Sequence, residues 1–148
     1  MNREAVYEQL KIDEGVVYEI YLDHLGYKTF GVGHLVRESD PEHGYAVGEP
    51  VSVERTIECF ESDLDVAISE CEVLYGVDLW TDFPEEVQEI LVNMMFNLGR
   101  PRLSKFKNMH KALEMGEYEQ AAAEGRDSLW FRQVGNRAKR LMTRLENV

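Results

Sequence analysis

The sequence predicts a mostly helical α+β chain: a small β-hairpin lobe, a long connecting helix and a helical lobe. Three observations carry that expectation. Residues 16–34 are rich in β-branched and aromatic side chains punctuated by glycine, residues 52–75 hold one amphipathic pattern, and residues 84–98 are apolar on nearly every side. The 148 residues are expected to form a single domain. Its N-terminal lobe covers about 13–60, the connecting helix about 52–75, and the helical lobe about 76–148 plus the first helix.

Each element has a local reason. Ala5 or Val6, Leu10 and Ile12 recur at helical spacing, and Gly15 is placed to end that first helix in a left-handed cap, with Glu14 at its last turn. VVYEIYLD, the turn-like His24-Leu25-Gly26 and YKTFGVGH then read as a β-hairpin. Residues 36–51, full of Pro, Gly and charge, read as a surface loop with room for a short strand. Ser52 is placed as the N-cap of the long helix, whose stripe is Ile57, Phe60, Leu64 and Ile68, with Glu61, Asp65 and Glu72 facing elsewhere. Pro84 suits a first helical position, and the helix it opens runs to Leu98 and stops at Gly99. EILVNMMFNL within it is apolar all round and predicts a buried central helix. Shorter helices follow around 103–115, 117–125 and 136–146.

Composition excludes several classes. With 44% hydrophobic residues the chain has enough for a packed interior. No apolar run approaches the roughly 18 residues of a membrane helix, so no stable membrane insertion is expected. MNREAVYEQL places charges where a secretory signal has its apolar core, so no export signal is expected. The net charge is −12, unevenly spread: residues 1–99 carry −17 and residues 100–148 carry +5. Such a chain repels phosphate as a whole, which argues against nucleic acid as partner. Cys59 and Cys71 lie twelve residues apart on one helix, about 18 Å along its axis, too far for a disulfide. Lacking any CxxC spacing, they read as ordinary thiols, with no metal site.

Glu14, Asp23 and Thr29 cluster around the first helix end and the hairpin. Cleaving a glycosidic bond calls for two carboxyl groups, one protonated to donate to the leaving oxygen and one ionised to activate water or attack. Different elements hold this Glu and Asp apart, as that chemistry requires. In a chain with 28 acidic residues the spacing alone fits two ordinary surface carboxylates better than a catalytic pair.

The surrounding motifs are more specific. Glu14-Gly15, Tyr21-Leu22-Asp23 and Gly26-Tyr27-Lys28-Thr29-Phe30-Gly31-Val32-Gly33-His34 closely resemble the catalytic hairpin of the T-even type of phage lysozyme, glycoside hydrolase family 24. Phe60-Glu61-Ser62-Asp63 resembles the family's long-helix acidic motif, and Asn93-Met94-Met95-Phe96-Asn97-Leu98-Gly99 its core helix. Trp130 with Asn136-Arg137-Ala138-Lys139-Arg140 resembles its C-terminal motif. The matches fall in order over nearly the whole chain.

The resemblance implies a lysozyme-like fold and a muramidase acting on the β-1,4 bond between N-acetylmuramic acid and N-acetylglucosamine of peptidoglycan, with no cofactor. It makes Glu14 the general acid, Asp23 the second carboxylate and Thr29 the residue that helps place the attacking water. It implies an inverting reaction, with Asp23 a base acting through that water. Arg137 matches an arginine that orients the catalytic glutamate; it also fits a basic residue on a solvated helix. His34 and Asp63 match a buried structural ion pair. Leu35, Phe96 and Asn97 match cleft-lining positions, and Phe96 fits a core position as well.

Some positions depart from the family. Two cleft positions that are polar in familiar relatives read Glu124 and Met109, the stretch after the hairpin is shortened and acidic, and the chain is acidic where those relatives are basic. The implied setting is a monomeric endolysin held in the host cytoplasm until a separate holin admits it to the wall. Two other readings compete. A lytic transglycosylase would use one glutamate and close the sugar on itself, leaving Asp23 and Thr29 superfluous. A non-catalytic binding or interaction module would have no use for all three residues.

Overall fold

The computed structural model describes the whole chain, Met1–Val148. It is mostly helical, with eight α-helices and one three-stranded antiparallel sheet. Two compact units divide it: residues Arg3–Val66, and residues Ala67–Val148 with Met1–Asn2.

The first unit holds α1 (Arg3–Glu14), β1 (Val17–Leu22), β2 (Lys28–Gly31), β3 (His34–Leu35) and the first half of α2 (Val53–Tyr75). Gly15 follows α1 with φ 77°. Strand order is β1-β2-β3, with Tyr21 opposite Thr29, Leu22 opposite Lys28 and Phe30 opposite His34. Alternation along the hairpin separates two faces. Ile20 and Phe30 point into a core with Val51 and Cys59, while Tyr21 and Thr29 share the other face, and the same alternation carried one residue past each strand end puts Asp23 and Tyr27 on that side. Beyond β3, Pro41–Gly44 form a 3-10 turn. The chain then runs beside β1, with Ile20 N–H donating to Glu49 O at 2.9 Å and Val51 N–H to Tyr18 O at 2.9 Å. This is the short strand for which the loop had room, reduced to an isolated bridge between Glu19 and Pro50.

Within this unit α1 is tied to α2: Arg3 Nη2 binds Glu61 at 2.6 Å and Asp65 at 2.9 Å, and the Tyr7 ring meets Phe60 edge-on at 4.6 Å. Two stripe residues also turn out to be solvent-facing. Ile12 is 75% exposed, and the buried face of α1 is Val6 and Leu10. Ile57 is 42% exposed; the buried face of α2 runs through Thr56, Phe60, Leu64, Ala67 and Cys71, a regular helical progression one residue out of phase with Ile57. Ser52 Oγ accepts from Arg55 N–H at 3.1 Å, the expected cap.

The second unit contains α3 (Val77–Asp82), α4 (Glu85–Leu103), α5 (Lys107–Glu114), α6 (Tyr118–Arg126), α7 (Leu129–Val134) and α8 (Asn136–Glu146). Helices α3 and α7 were not expected, since six residues span less than two turns and carry little periodicity. Pro84 sits one position earlier than expected, at the cap of α4 rather than within its first turn. Gly99 breaks α4 without ending it: at φ 76° and ψ 161° it leaves helical geometry, and one more turn follows to Leu103. Only glycine takes that conformation without strain. Helix α5 starts at Lys107, later than expected. Val87 and Ile90 through Met95 are buried, making α4 the central helix of this unit. Helix α8 packs on α4, α6 and α7, and α5 on α6. Cys59 and Cys71 are both buried and unbonded.

Candidate active site

Glu14 ends α1, where its side chain is half-buried. The β2–β3 turn comes up against it: a Cβ on Gly33, where φ is 64°, would lie 3.5 Å from Glu14 Oε2 and 3.8 Å from Glu14 Cβ. Glycine at 33 thus serves the turn's left-handed backbone, while the space beside the Glu14 carboxylate would admit a Cβ at ordinary contact distance.

Asp23 ends β1 and organises the hairpin turn. Its Oδ1 accepts from Leu25 N–H and Tyr27 N–H, both at 2.9 Å, and its own N–H donates to Tyr27 O at 2.9 Å. Oδ2 accepts no bond from the protein. Thr29 lies on the same face, buried, with Oγ1 donating to Tyr27 O at 3.0 Å. Because its proton is engaged there, the Thr29 oxygen keeps lone pairs to accept from another donor. Tyr27 therefore carries both residues on its backbone: its N–H holds the Asp23 carboxylate and its carbonyl holds the Thr29 hydroxyl.

Tyr21, opposite Thr29 in the register, is a member of this cluster that the sequence did not single out. Burial pushes its phenol up, and the negative fields of Asp23 and Glu14 push it further, so it stays a neutral hydroxyl near both carboxylates. Its place in the YLD stretch, two residues before Asp23 on an alternating strand, was the available signal.

His34 and Asp63 meet at 2.7 Å through Nδ1, but the ring is held on both sides. Nε2 lies 2.8 Å from Asp40 Oδ2, and His34 is only 5% exposed. Arg37 Nη2 binds Asp63 Oδ1 at 2.9 Å, Arg37 N–H donates to Asp40 Oδ2 at 2.9 Å, and Arg55 Nη2 lies 3.5 Å from Asp40 and 2.9 Å from Glu42. Two carboxylates at the two ring nitrogens require both to donate, which makes the ring an imidazolium. Burial on its own would lower the His34 pKa; hydrogen bonds donated to Asp63 and Asp40, and the charges of those carboxylates, outweigh it and raise the value. This network anchors β3 and the 3-10 turn to α2. Leu35, beside it, is exposed.

Phe96, Asn97 and Arg137 belong to the second unit. Phe96 and Asn97 are half-buried. Asn97 Oδ1 accepts from Trp130 Nε1 at 2.7 Å, and both residues line a hollow of about 410 Å³ with Phe106 and Leu129. Arg137 donates from Nε to Asn93 Oδ1 at 2.8 Å and from Nη2 to Asn93 O at 3.2 Å. Met109 is buried, yet it also lines a hollow of about 250 Å³ with Glu124, Lys105 and Lys107. No three His, Cys, Asp or Glu side chains converge to hold a metal ion.

Within the first unit, then, a carboxylate at a helix end abuts the hairpin. The hairpin presents a second carboxylate with one free oxygen and a hydroxyl able to accept. That set can supply a proton donor, a base and a water-binding oxygen from separate elements.

The profile of the phage lysozyme family matches residues 11–147. Among individual proteins, the chain is similar to the pre-baseplate central spike protein of Enterobacteria phage T4, 29% identical over 90% of this chain and 26% of that protein. It is also similar to two proteins of Dictyostelium discoideum. Probable T4-type lysozyme 2 is 30% identical over 94% of this chain and 92% of its own length, and probable T4-type lysozyme 1 is 28% identical over 96% and 94%. The chain thus spans about a quarter of the spike protein and nearly all of each Dictyostelium relative.

Proposed function

The chain belongs to the phage lysozyme family, and from that premise we propose that it is a muramidase, hydrolysing the β-1,4 bond between N-acetylmuramic acid and N-acetylglucosamine in peptidoglycan. The observation that carries the proposal is the arrangement of Asp23 and Thr29 on one hairpin face. Asp23 is tethered by two backbone N–H groups to its Oδ1, leaving Oδ2 open, and Thr29 has its proton engaged and its lone pairs available.

In the proposed reaction Glu14, protonated, donates to the glycosidic oxygen as the bond to the anomeric carbon breaks. A water held between Asp23 Oδ2 and Thr29 Oγ1 attacks that carbon from the opposite side, giving up its proton to Asp23. The bond C–O(leaving) is replaced by C–OH with inverted configuration, and the proton now on Asp23 returns to Glu14 through solvent. Arg137, Leu35, Phe96 and Asn97 are proposed as supporting and substrate-lining residues, and His34 with Asp63 as the anchor of the hairpin.

Turbidity loss of permeabilised Gram-negative cells by the parent and by Glu14→Gln tests the proposal. Lysis by the parent and a loss of roughly 10²–10⁴-fold in the variant is the expected result. Equal lysis by both would remove Glu14 from the chemistry, and wall binding without lysis by either would favour a binding module. Proton NMR of the first-formed anomer distinguishes inversion from retention. Product masses lower by one water per cut would identify a lytic transglycosylase.

No helix of the chain is long and apolar enough to cross a membrane. The biological setting we propose is host lysis by a monomeric endolysin, reaching the wall from the cytoplasm through a separate holin. The similarity to a quarter of the spike protein favours a second setting for the same chemistry, a lysozyme unit within a larger phage protein. The size of the product made from the native gene during infection separates the two.

A further inference from the structure

We propose that the Tyr27 ring is a sugar-contacting subsite of the candidate active site, receiving the apolar face of the pyranose bound beside Asp23. This rests on the muramidase reading and names a substrate contact within it.

Tyr27 N–H donates to Asp23 Oδ1 at 2.9 Å, Tyr27 O accepts from Asp23 N–H at 2.9 Å, and the same carbonyl accepts from Thr29 Oγ1 at 3.0 Å. All three bonds use Tyr27's main chain, so its side chain takes no part in holding either residue. Tyr27 is 58% exposed. Carrying the β1–β2 register one step past Leu22 and Lys28 sets Tyr27 across from Asp23, whose N–H it accepts, and strand alternation puts it on the side of the hairpin that carries Thr29. The opposite face is committed elsewhere: Ile20 and Phe30 enter the core, and Lys28 Nζ donates to Tyr45 O at 2.6 Å.

An exposed tyrosine in the turn that tethers a carboxylate is suited to a ligand with both apolar and hydroxylated surfaces. A pyranose has that character: its C–H face packs on the ring while its hydroxyls remain hydrogen-bonded. A phosphate or acidic peptide would instead meet Asp23 as a like charge. Leu25, also exposed at the hairpin tip, has no comparable tie to Asp23 and Thr29 through its carbonyl.

The experiment compares full-length parent, Tyr27→Ala and Tyr27→Phe on soluble uncrosslinked peptidoglycan glycan chains, following reducing ends. Expected is a KM raised about fivefold or more in Tyr27→Ala with kcat within about twofold of the parent, and a KM restored in Tyr27→Phe. An unchanged KM in Tyr27→Ala overturns the proposal, as does a fall in kcat at constant KM, which would mark the ring as a prop for Asp23. A second measurement stands apart from turnover: NMR of ring-labelled tyrosine in Glu14→Gln, titrated with the same glycan. Shifts of the Tyr27 ring signals support the contact, and signals that stay put at saturating glycan overturn it. A parent chain that binds glycan with Tyr27 shifts but cleaves nothing would sink the muramidase reading and leave this contact standing.

Discussion

Removing one of the two carboxylates that hold His34 has a cost that depends on pH in a calculable direction. Asp40→Asn keeps the shape of the side chain and removes its charge. Its Oδ2 lies 2.8 Å from His34 Nε2 and takes Arg37 N–H at 2.9 Å. Hydrogen bonds to charged groups contribute about 1.5–3 kcal/mol each. The amide oxygen of asparagine still accepts, and Arg55 keeps its two-pronged contact with Glu42, so the loss falls toward the lower end, about 2 kcal/mol. For a chain of this length that is a fall in Tm of roughly 4–8 °C.

The sign follows from the direction of each shift. His34 is raised above its ordinary 6.5, so its contribution is full below that value and is lost as pH rises through its folded-state pKa. For Asp40 burial pushes up, but the Arg37 N–H, His34 and Arg55 outweigh it and bring the value below 3.8. Its contribution is therefore present above 3.8 and lost as pH falls through the folded-state value. The clamp is strongest between the two. Once His34 is neutral it can donate from only one nitrogen, and the charge of Asp40 matters less. Thermal unfolding by circular dichroism at about pH 6 and about pH 10 should show the Asp40→Asn penalty shrinking by about half at the higher pH. An equal penalty at both, or ¹⁵N shifts showing a neutral His34 ring at about pH 6, would refute a doubly held imidazolium.

Two further outcomes are expected. With a net charge of −12, the chain should lyse anionic walls faster as salt rises to about 0.1–0.2 M, because screening weakens the repulsion; a steady decline from low salt upward would count against it. Cys59 and Cys71, whose thiols burial pushes up to about 11 and about 12, should stay unmodified by a thiol reagent at neutral pH in the folded chain. Both should react on unfolding, and rapid labelling of either in the native protein would show that its surroundings open.

What the sequence determined unaided is what depends on neighbours a few residues away. Gly15 after α1, the Ser52 cap of α2, the β-rich stretch around a Gly-containing turn and the apolar run of α4 are signals written within one or two turns of chain, and the elements they specify are present. Motif order was legible in the same way, which is why the family could be recognised. Burial was less so: Ile12 and Ile57 fit the spacing but point outward, because the neighbour, not the hydropathy, decides which way a helix faces. Short α3 and α7 carried too little pattern to register.

The sequence named candidate residues for the site and could not show the bonds between them. The family resemblance joins His34 to Asp63, whereas nothing in it points to Asp40, which lies on a stretch that departs from the family's pattern. Asp40 reaches His34 only because the 3-10 turn at Pro41–Gly44 folds back toward α2, where Arg55 binds Glu42. Tyr27 enters the sequence reading only as one letter of the hairpin motif, with no role assigned, yet in the folded hairpin its carbonyl accepts from Thr29 and its N–H donates to Asp23. Local sequence sets which backbone shapes are cheap. Which charges neutralise one another, and which tyrosine is left exposed at the turn that tethers a carboxylate, is settled when distant segments compete for the same partners in the folded chain.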